Sequence, residues 1–169
     1  MSTDWNELYR TIYPDLVRFL HRKVWDPDRA RDLAQEAFVR GLQHEPRRPR
    51  AWLFQVASNL ARDEARTVVR RKRHLALLKG EAEQKQELAP DPSETVSDEE
   101  RGERVRAALE TLTERDREAL LLWDAGVSYT EIARHTGLAV GAVGTTLSRA
   151  RRRLADAYRE KEQIDVARG

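Results

Sequence analysis

Three glycines followed by a block of arginines stand in the stretch TGLAVGAVGTTLSRARRRL, residues 136–154. Glycine-rich runs can hold a phosphate group, because their backbone N–H groups can approach it closely. A dinucleotide-binding fingerprint needs a strand just before the glycines, and a Walker-type loop needs Gly-Lys followed by Ser or Thr. Here a helical pattern precedes the glycines and no such lysine occurs. The run therefore does not predict a nucleotide-binding loop.

Other residue types that commonly carry chemistry form no catalytic or metal-binding pattern. The chain has no cysteine, which excludes disulfides, thiol catalysis and cysteine-ligated metals. The acidic pair Asp63 and Glu64 is explained more simply as solvated or arginine-paired than as part of a nuclease site. We therefore expect no enzyme activity, no metal site and no cofactor. The four histidines lack ligand-like spacing: His21, His44, His74 and His135.

The glycines instead fit a helix-turn-helix. The capping box Ser128–Glu131 predicts the start of a short helix, Gly137 is suited to end it, and a second helix is expected from Val140. Gly141 and Gly144 each cost about 1 kcal/mol relative to alanine, which indicates close backbone approach to a partner helix or to DNA. For Gly141 both explanations stay open. The expected core side of the second helix is Val143, Leu147, Ala150 and Leu154, and its opposite side is Thr145, Ser148, Arg149 and Arg152.

The first part of the chain predicts a bundle of three amphipathic helices, because its apolar residues recur at spacings of three and four. Pro14 is expected to kink or interrupt the first helix, Asp26-Pro27 to begin the second, and Pro49 to begin the third. No segment shows sustained strand alternation, so the fold class is all-α. The expected buried residues are Trp5, Leu8, Tyr9, Ile12, Leu16, Phe19, Leu20, Val24, Ala30, Leu33, Ala34, Ala37, Phe38, Leu42, Trp52, Leu53, Val56, Ala57, Leu60 and Val68.

Charge divides the chain into three parts. Residues 1–80 hold 17 Lys/Arg against 10 Asp/Glu, residues 81–103 hold 2 against 9, and residues 104–169 hold 12 against 10. The middle part lacks aromatic residues and contains two prolines, which predicts a flexible acidic linker or, alternatively, an acidic segment that shields a basic surface. We predict two small helical domains. The first spans residues 1–79, and the second, a helix-turn-helix domain, spans residues 104–160. A linker of residues 80–103 joins them, and a tail of residues 161–169 follows. No apolar run is long enough for membrane insertion, so we expect a soluble intracellular protein.

The third helix carries a basic stripe, which we define as Gln55, Asn59, Arg62, Arg66, Arg70 and Arg73, reinforced by Arg71 and Lys72. Its members are spaced by three or four, so they share one helix face, and Arg47, Arg48 and Arg50 stand just before it beside Trp52. Such a face can be merely solvated, but the clustering without balancing acids on the stripe favours nucleic acid. Two basic helical modules on one chain suggest two separated contacts on DNA.

Three segments in order, DLAQEAFVRGLQ (32–43), PRAWLFQVASNLARDEAR (49–66) and the long stretch from LTERDREALLLWDAGVSYTEIARHTG onward (112–154), resemble the extracytoplasmic-function (ECF) group of bacterial sigma factors. The resemblance covers nearly the whole chain outside the linker. It implies promoter DNA and core RNA polymerase as partners, together with an anti-sigma factor. Many members carry basic residues where this chain has Gly144 and Thr146, which implies greater reliance on backbone contacts and DNA shape.

The resemblance also implies roles for individual residues. Asp32, Gln35 and Glu36 match the motif with which the family docks on the largest polymerase subunit. The segment around Leu120 to Trp123 would help to meet the polymerase flap. The implied contacts with the minus-ten element, where a base is flipped out, are Arg47, Arg48, Arg50, Trp52, Asn59, Arg62, Arg66, Arg70 and Arg71, and those with the minus-thirty-five element are Gly144, Thr145, Ser148, Arg149 and Arg152.

We therefore expect an alternative sigma factor that recognises both promoter elements and helps to melt the promoter. A different explanation is a helix-turn-helix regulator whose N-terminal bundle serves as a sensor or dimerisation domain. The two differ in residues 32–73, because a regulator has no use for the docking motif beside an exposed arginine stripe.

Overall fold

The computed structural model describes residues 2–79 and 96–169. These residues form helices without any strand, so the all-α fold class is confirmed for them. Contacts divide the chain into two compact units, one comprising Met1–Lys85 with Asp124–Val127 and the other Gln86–Trp123 with Ser128–Gly169. The described helices are α1 (Trp5–Val24), α2 (Pro27–His44), α3 (Pro49–Lys79), α4 (Val96–Glu110), α5 (Glu114–Asp124), α6 (Tyr129–Thr136) and α7 (Val140–Arg168).

The first helix begins and ends at well-defined caps. The Asp4 side chain accepts hydrogen bonds from the N–H groups of Asn6 and Glu7, and Trp25 ends the helix in the left-handed region with φ of 56°. The predicted interruption at Pro14 is wrong, because α1 continues through that residue. A proline removes only one helical hydrogen bond, and burial of residues on either side of it compensates for this loss. Those buried residues are Ile12, Leu16, Phe19 and Leu20.

The second and third helices begin at the residues that the sequence predicts, and they complete the bundle. Asp26 caps α2 by accepting from the N–H groups of Asp28 and Arg29, with Pro27 at the first helical position. Helices α1, α2 and α3 all pack against one another. Their shared core consists of residues whose spacing follows the helical period: Ile12, Leu16, Phe19, Leu20, Ala30, Leu33, Ala34, Ala37, Phe38, Leu53, Phe54, Ala57, Leu60 and Ala61.

Three residues expected in this core are instead exposed, namely Tyr9, Leu42 and Val68. Helix α3 has 31 residues, whereas α1 has 20 and α2 has 18. The shorter helices cannot cover the end of α3, and beyond residue 61 every side chain of α3 is exposed except Glu64, which is half-buried. Val68 lies in this uncovered part. Leu42 lies on the same outer side of α2 as Gln35, seven residues earlier.

The second unit begins earlier than expected. The sequence predicts residues 96–103 as linker, but they belong to α4, while residues 80–95 lie outside the described residues. Two acidic residues of this segment pair with arginines along the helix. Asp98 lies 3.8 Å from Arg101, and Glu100 lies 4.0 Å from Arg104. Arg104 also donates from Nε to Asp165 at 2.9 Å. The predicted tail is likewise helical, because α7 continues to Arg168 and Asp165 holds it against α4.

The helix-turn-helix forms where the sequence predicts it. Ser128 Oγ accepts from the N–H of Glu131 at 3.3 Å at the start of α6, and Gly137 ends that helix with φ of 77°. The N–H of Asp116 donates to Thr113 Oγ1, which caps the preceding helix α5. The core of this unit includes Ala108, Leu109, Leu112, Ala119, Leu122, Ile132, Ala133, Val143, Leu147 and Ala150.

In the described part of the chain, no helix is long and apolar enough to cross a membrane.

Candidate nucleic-acid interface

The basic stripe of α3 is exposed over its full length. Buried residues in the first three turns of α3, such as Leu53, Phe54 and Ala57, pack against α1 and α2 and so turn the opposite face outward. Asn59 is exposed at the start of this outward face. From residue 65 to residue 79 the helix carries six Lys/Arg residues and no acid, over about 22 Å of helix at 1.5 Å per residue. The exposed arginines are Arg62, Arg66, Arg70, Arg71 and Arg73.

Glu64, one of two acids that follow Arg62, is engaged by another helix. Glu64 accepts two hydrogen bonds from the Arg29 guanidinium of α2, one of them from Nε at 2.8 Å. Hydrogen bonding to Glu64 raises the pKa of Arg29, so the guanidinium stays charged. Among the described residues, Arg66, Arg70 and the cations that follow on α3 form no ion pair. From Arg66 onward the stripe therefore presents positive charge that no ion pair with a described residue compensates, and a polyanion would neutralise it.

The loop before α3 contributes only some of its predicted cations to this surface. Arg47 and Arg48 are exposed. Arg50 is half-buried, with its Nη2 3.4 Å from Asp15 Oδ2 and its guanidinium over the Phe54 ring at 5.6 Å. Trp52 is also half-buried and lies 5.7 Å from the His44 ring. Arg50 thus ties α3 to α1, and it does not continue the exposed stripe.

The motif residues of α2 occupy the outer face of that helix. Asp32, Gln35 and Glu36 are exposed, with Asp32 3.3 Å from Arg29 and Glu36 2.7 Å from Arg40. Exposed pairs of this kind contribute little to stability and exchange readily with other partners. The sequence interpretation missed a groove of about 350 Å³ beside Gln35, although the spacing of Gln35, Val39 and Leu42 could have indicated it. The groove is lined by Trp5, Asn6, Tyr9, Gln35, Phe38, Val39 and Leu42.

Helix α7, the second helix of the helix-turn-helix, has its buried and exposed residues largely on the sides that the sequence predicts. Its exposed face carries Thr145, Ser148, Arg149 and Arg152. The neighbouring Thr146, however, is buried at 4% exposure. Thr146 therefore belongs to the packing of the unit rather than to the surface.

The two glycines of α7 differ in their surroundings. A Cβ atom added to Gly141 would meet no atom within 4 Å, so close packing inside the protein does not require a glycine there. A Cβ atom on Gly144 would lie 3.6 Å from the Tyr129 ring, an ordinary contact distance. Of the two explanations for Gly141, tight helix packing is thus wrong. Approach by another molecule stays a prediction.

The segment before the helix-turn-helix is less accessible than the sequence suggests. Leu120, Leu121 and Leu122 are buried, and only Trp123 is exposed, at 38%. The guanidinium of Arg151 lies 4.3 Å from the Trp123 ring centre. Of residues 120–123, Trp123 is therefore the one apolar side chain available at the surface, and the Arg151 guanidinium lies over its ring.

Comparisons with known proteins agree with this arrangement. Residues 8–71 match sigma-70 region 2 and residues 102–154 match sigma-70, region 4. The sigma factor EcfG of Rhodopseudomonas palustris is 35% identical over 149 residues, which cover 84% of this chain and 78% of that protein. The chain belongs to the ECF group of bacterial sigma factors.

Further relatives extend the same match. The sigma factor YlaC of Bacillus subtilis is 30% identical to this sigma factor. The aligned residues cover 94% of this chain and 95% of YlaC. The ECF sigma factor SigE of Mycolicibacterium smegmatis is 29% identical, and the chain spans 64% of its length. The structure of RpoE in complex with the anti-sigma factor NepR from Bartonella quintana shares the fold, with a TM-score of 0.63, 24% identity and coverage of 92% and 97% of the two chains. Membership of this family makes the chain a transcription initiation factor rather than an enzyme.

Proposed function

We propose that this sigma factor binds core RNA polymerase and directs it to promoters that carry both a minus-thirty-five and a minus-ten element. The observation that carries this proposal is that each of the two matched regions exposes a helix face with clustered arginines. One face is the basic stripe of α3, and the other is the outer face of α7. Neither face has the carboxylate or histidine cluster that would be needed for cleavage, so binding is the activity that these surfaces support.

In the first unit, the proposed roles follow from which side chains are accessible. Asp32, Gln35 and Glu36 lie on the outer face of α2 and supply charged and amide groups for a polar contact with polymerase. The exposed arginines of α3 supply phosphate contacts, and Asn59 precedes them on the same face. Extruding a base costs a few kcal/mol, which phosphate contacts on either side can offset. We place the capture of a minus-ten base near Asn59 and Trp52.

In the second unit, small side chains precede arginines along the outer face of α7. Gly144, Thr145 and Ser148 would lie near base edges, because the first turns of a recognition helix enter the major groove. Arg149 and Arg152 would contact phosphates on either side of it. Arg149 lies 3.8 Å from the buried carboxylate of Asp116, which would hold its guanidinium in place before DNA binds.

Two further parts of the proposal concern regulation and location. The Bartonella quintana relative is bound by an anti-sigma factor, and we propose a partner of that class for this chain, which would block initiation by covering the arginine faces. We also propose a cytoplasmic location, because polymerase and promoter DNA are found there.

Gel filtration of the purified protein with core RNA polymerase tests the proposal. We expect the protein to elute with polymerase, and we expect the protein alone to bind an isolated DNA duplex only weakly. Elution apart from polymerase, together with tight binding of isolated duplex, would instead identify a helix-turn-helix regulator.

A further inference from the structure

An exposed apolar patch lies at the start of the recognition helix. Val140 is the first residue of α7 and is 54% exposed, and Tyr129 is the first residue of α6 and is 43% exposed. Val140 precedes Gly144 by four residues, so the two lie on the same side of α7. The ring of Tyr129 lies beside Gly144, where its Cε2 atom would be 3.6 Å from an added Cβ. We call the surface formed by Val140, Gly144 and Tyr129 the apolar patch.

The position of this patch favours nucleic acid as its occupant. In a helix-turn-helix, the N-terminal residues of the second helix contact base edges in the major groove. Thr145 and Ser148 are exposed beside the patch, and Arg149 follows them with a charge that suits phosphate. Gly141, next to Val140, has open space where a side chain would be. The front of the helix thus leaves room for close approach by a partner, and the arginine behind it suits a polyanion.

The chemistry of the patch selects one group within the major groove. Guanine, cytosine and adenine present hydrogen-bond donors and acceptors there, and only thymine adds an apolar 5-methyl group. A valine side chain cannot pair with a donor or acceptor, and covering one without a partner is unfavourable. Contact with a methyl group is favourable because it removes apolar surface from water.

We propose that the apolar patch contacts the 5-methyl group of a thymine in the minus-thirty-five element, with Val140 as the direct contact and Tyr129 supporting it across Gly144. This inference rests on the proposed function and adds two specificity-determining residues to it. It also explains how α7 reads a base without a long side chain at position 144: the ring of Tyr129 occupies the space beside this glycine. The apolar patch then reads one base while the arginines hold the backbone.

Replacement of thymine by deoxyuridine tests the proposal, since it removes only the 5-methyl group. Holoenzyme assembled from the full chain and core RNA polymerase first selects promoters from a DNA library that is randomised in its upstream element. Each thymine of the selected element is then replaced singly, and holoenzyme affinity is measured. We expect one position at which deoxyuridine lowers affinity about fourfold for the wild-type protein, the effect of about 0.8 kcal/mol for one buried carbon group.

Two valine variants separate this contact from a general effect on α7. The variant Val140→Ala should bind thymine and deoxyuridine duplexes equally at that position. Val166→Ala makes the same change on the same helix at an exposed site, 75% accessible, and should keep the wild-type fourfold difference. Failure to select any promoter would contradict the proposed function itself. Selection of promoters without a thymine-specific effect, or an unchanged effect in Val140→Ala, would overturn only the thymine contact.

Discussion

Thr145 and Thr146 are neighbours in α7 but differ in their surroundings, since Thr145 is exposed and Thr146 is only 4% exposed. This difference decides what each position can do. Thr145 is available to a DNA partner, whereas Thr146 packs among the residues that hold α7 against the unit. A basic residue at position 146 would therefore not fit here without a change in packing.

The first prediction follows from this pair. Thr146→Arg should lower the free energy of unfolding by about 2 kcal/mol or more, because it places a charge where water is excluded. Thr145→Arg inserts the same side chain one residue earlier and should change the free energy of unfolding by less than about 0.5 kcal/mol. Chemical denaturation measures both. Equal destabilisation by the two variants would contradict the assigned orientation of α7.

A second prediction concerns Gly141. Gly141→Ala should stabilise the protein by up to about 1 kcal/mol, because alanine favours the helix and meets no neighbouring atom. If DNA approaches the backbone at this residue, the same variant should weaken promoter binding by the holoenzyme. Gly102→Ala in α4 is a matched control, since an added Cβ there also meets no atom within 4 Å. It should stabilise without changing promoter affinity, and a loss of affinity in both variants would argue against a local effect.

The basic stripe of α3 provides a third prediction. Replacing Arg66 or Arg70 with alanine should weaken promoter binding by the holoenzyme and should reduce the slope of log affinity against log salt concentration by about 0.7 to 0.9 for each phosphate that is no longer neutralised. Affinity measured over a salt series gives this slope. Arg168→Ala, at the end of α7, removes an equal charge elsewhere and should leave the slope unchanged. An unchanged slope in the Arg66 and Arg70 variants would remove the phosphate assignment.

The outer face of α2 supplies a fourth prediction. Gln35→Lys together with Glu36→Lys should lower affinity for core polymerase about tenfold or more, because two cations replace an amide and a carboxylate in the contact. Circular dichroism should show an intact fold, since both side chains are exposed. Glu110→Lys makes a charge reversal at an exposed site of α4 and serves as the control. Polymerase affinity equal to that of the wild type would exclude the docking assignment.

Local signals account for what the sequence predicts well. Ser128 and Gly137 mark the ends of α6 through their own backbone preferences, and Asp26 with Pro27 marks the start of α2. Such caps depend on a few adjacent residues, so they can be recognised in a single sequence. The exposed side of α7 could also be predicted, because the apolar period of Val143, Leu147 and Ala150 fixes it.

Features that depend on distant residues could not be predicted in the same way. Val68 continues the apolar period of α3, and its exposure depends on how far α1 and α2 extend beside it. The charge-rich composition at the start of α4 resembles a linker until the pairing of Arg104 with Asp165 is known. Arg50 looks like one more cation of the interface, and only the bundle brings Asp15 to it.

The most direct test of the central claim is to map transcription start sites in vitro with core polymerase and genomic DNA of the source organism, with and without this protein. The proposed function predicts new start sites that appear only with the protein and share two upstream elements at a constant spacing. Start sites that are unchanged by the protein would contradict the claim that it directs polymerase to promoters.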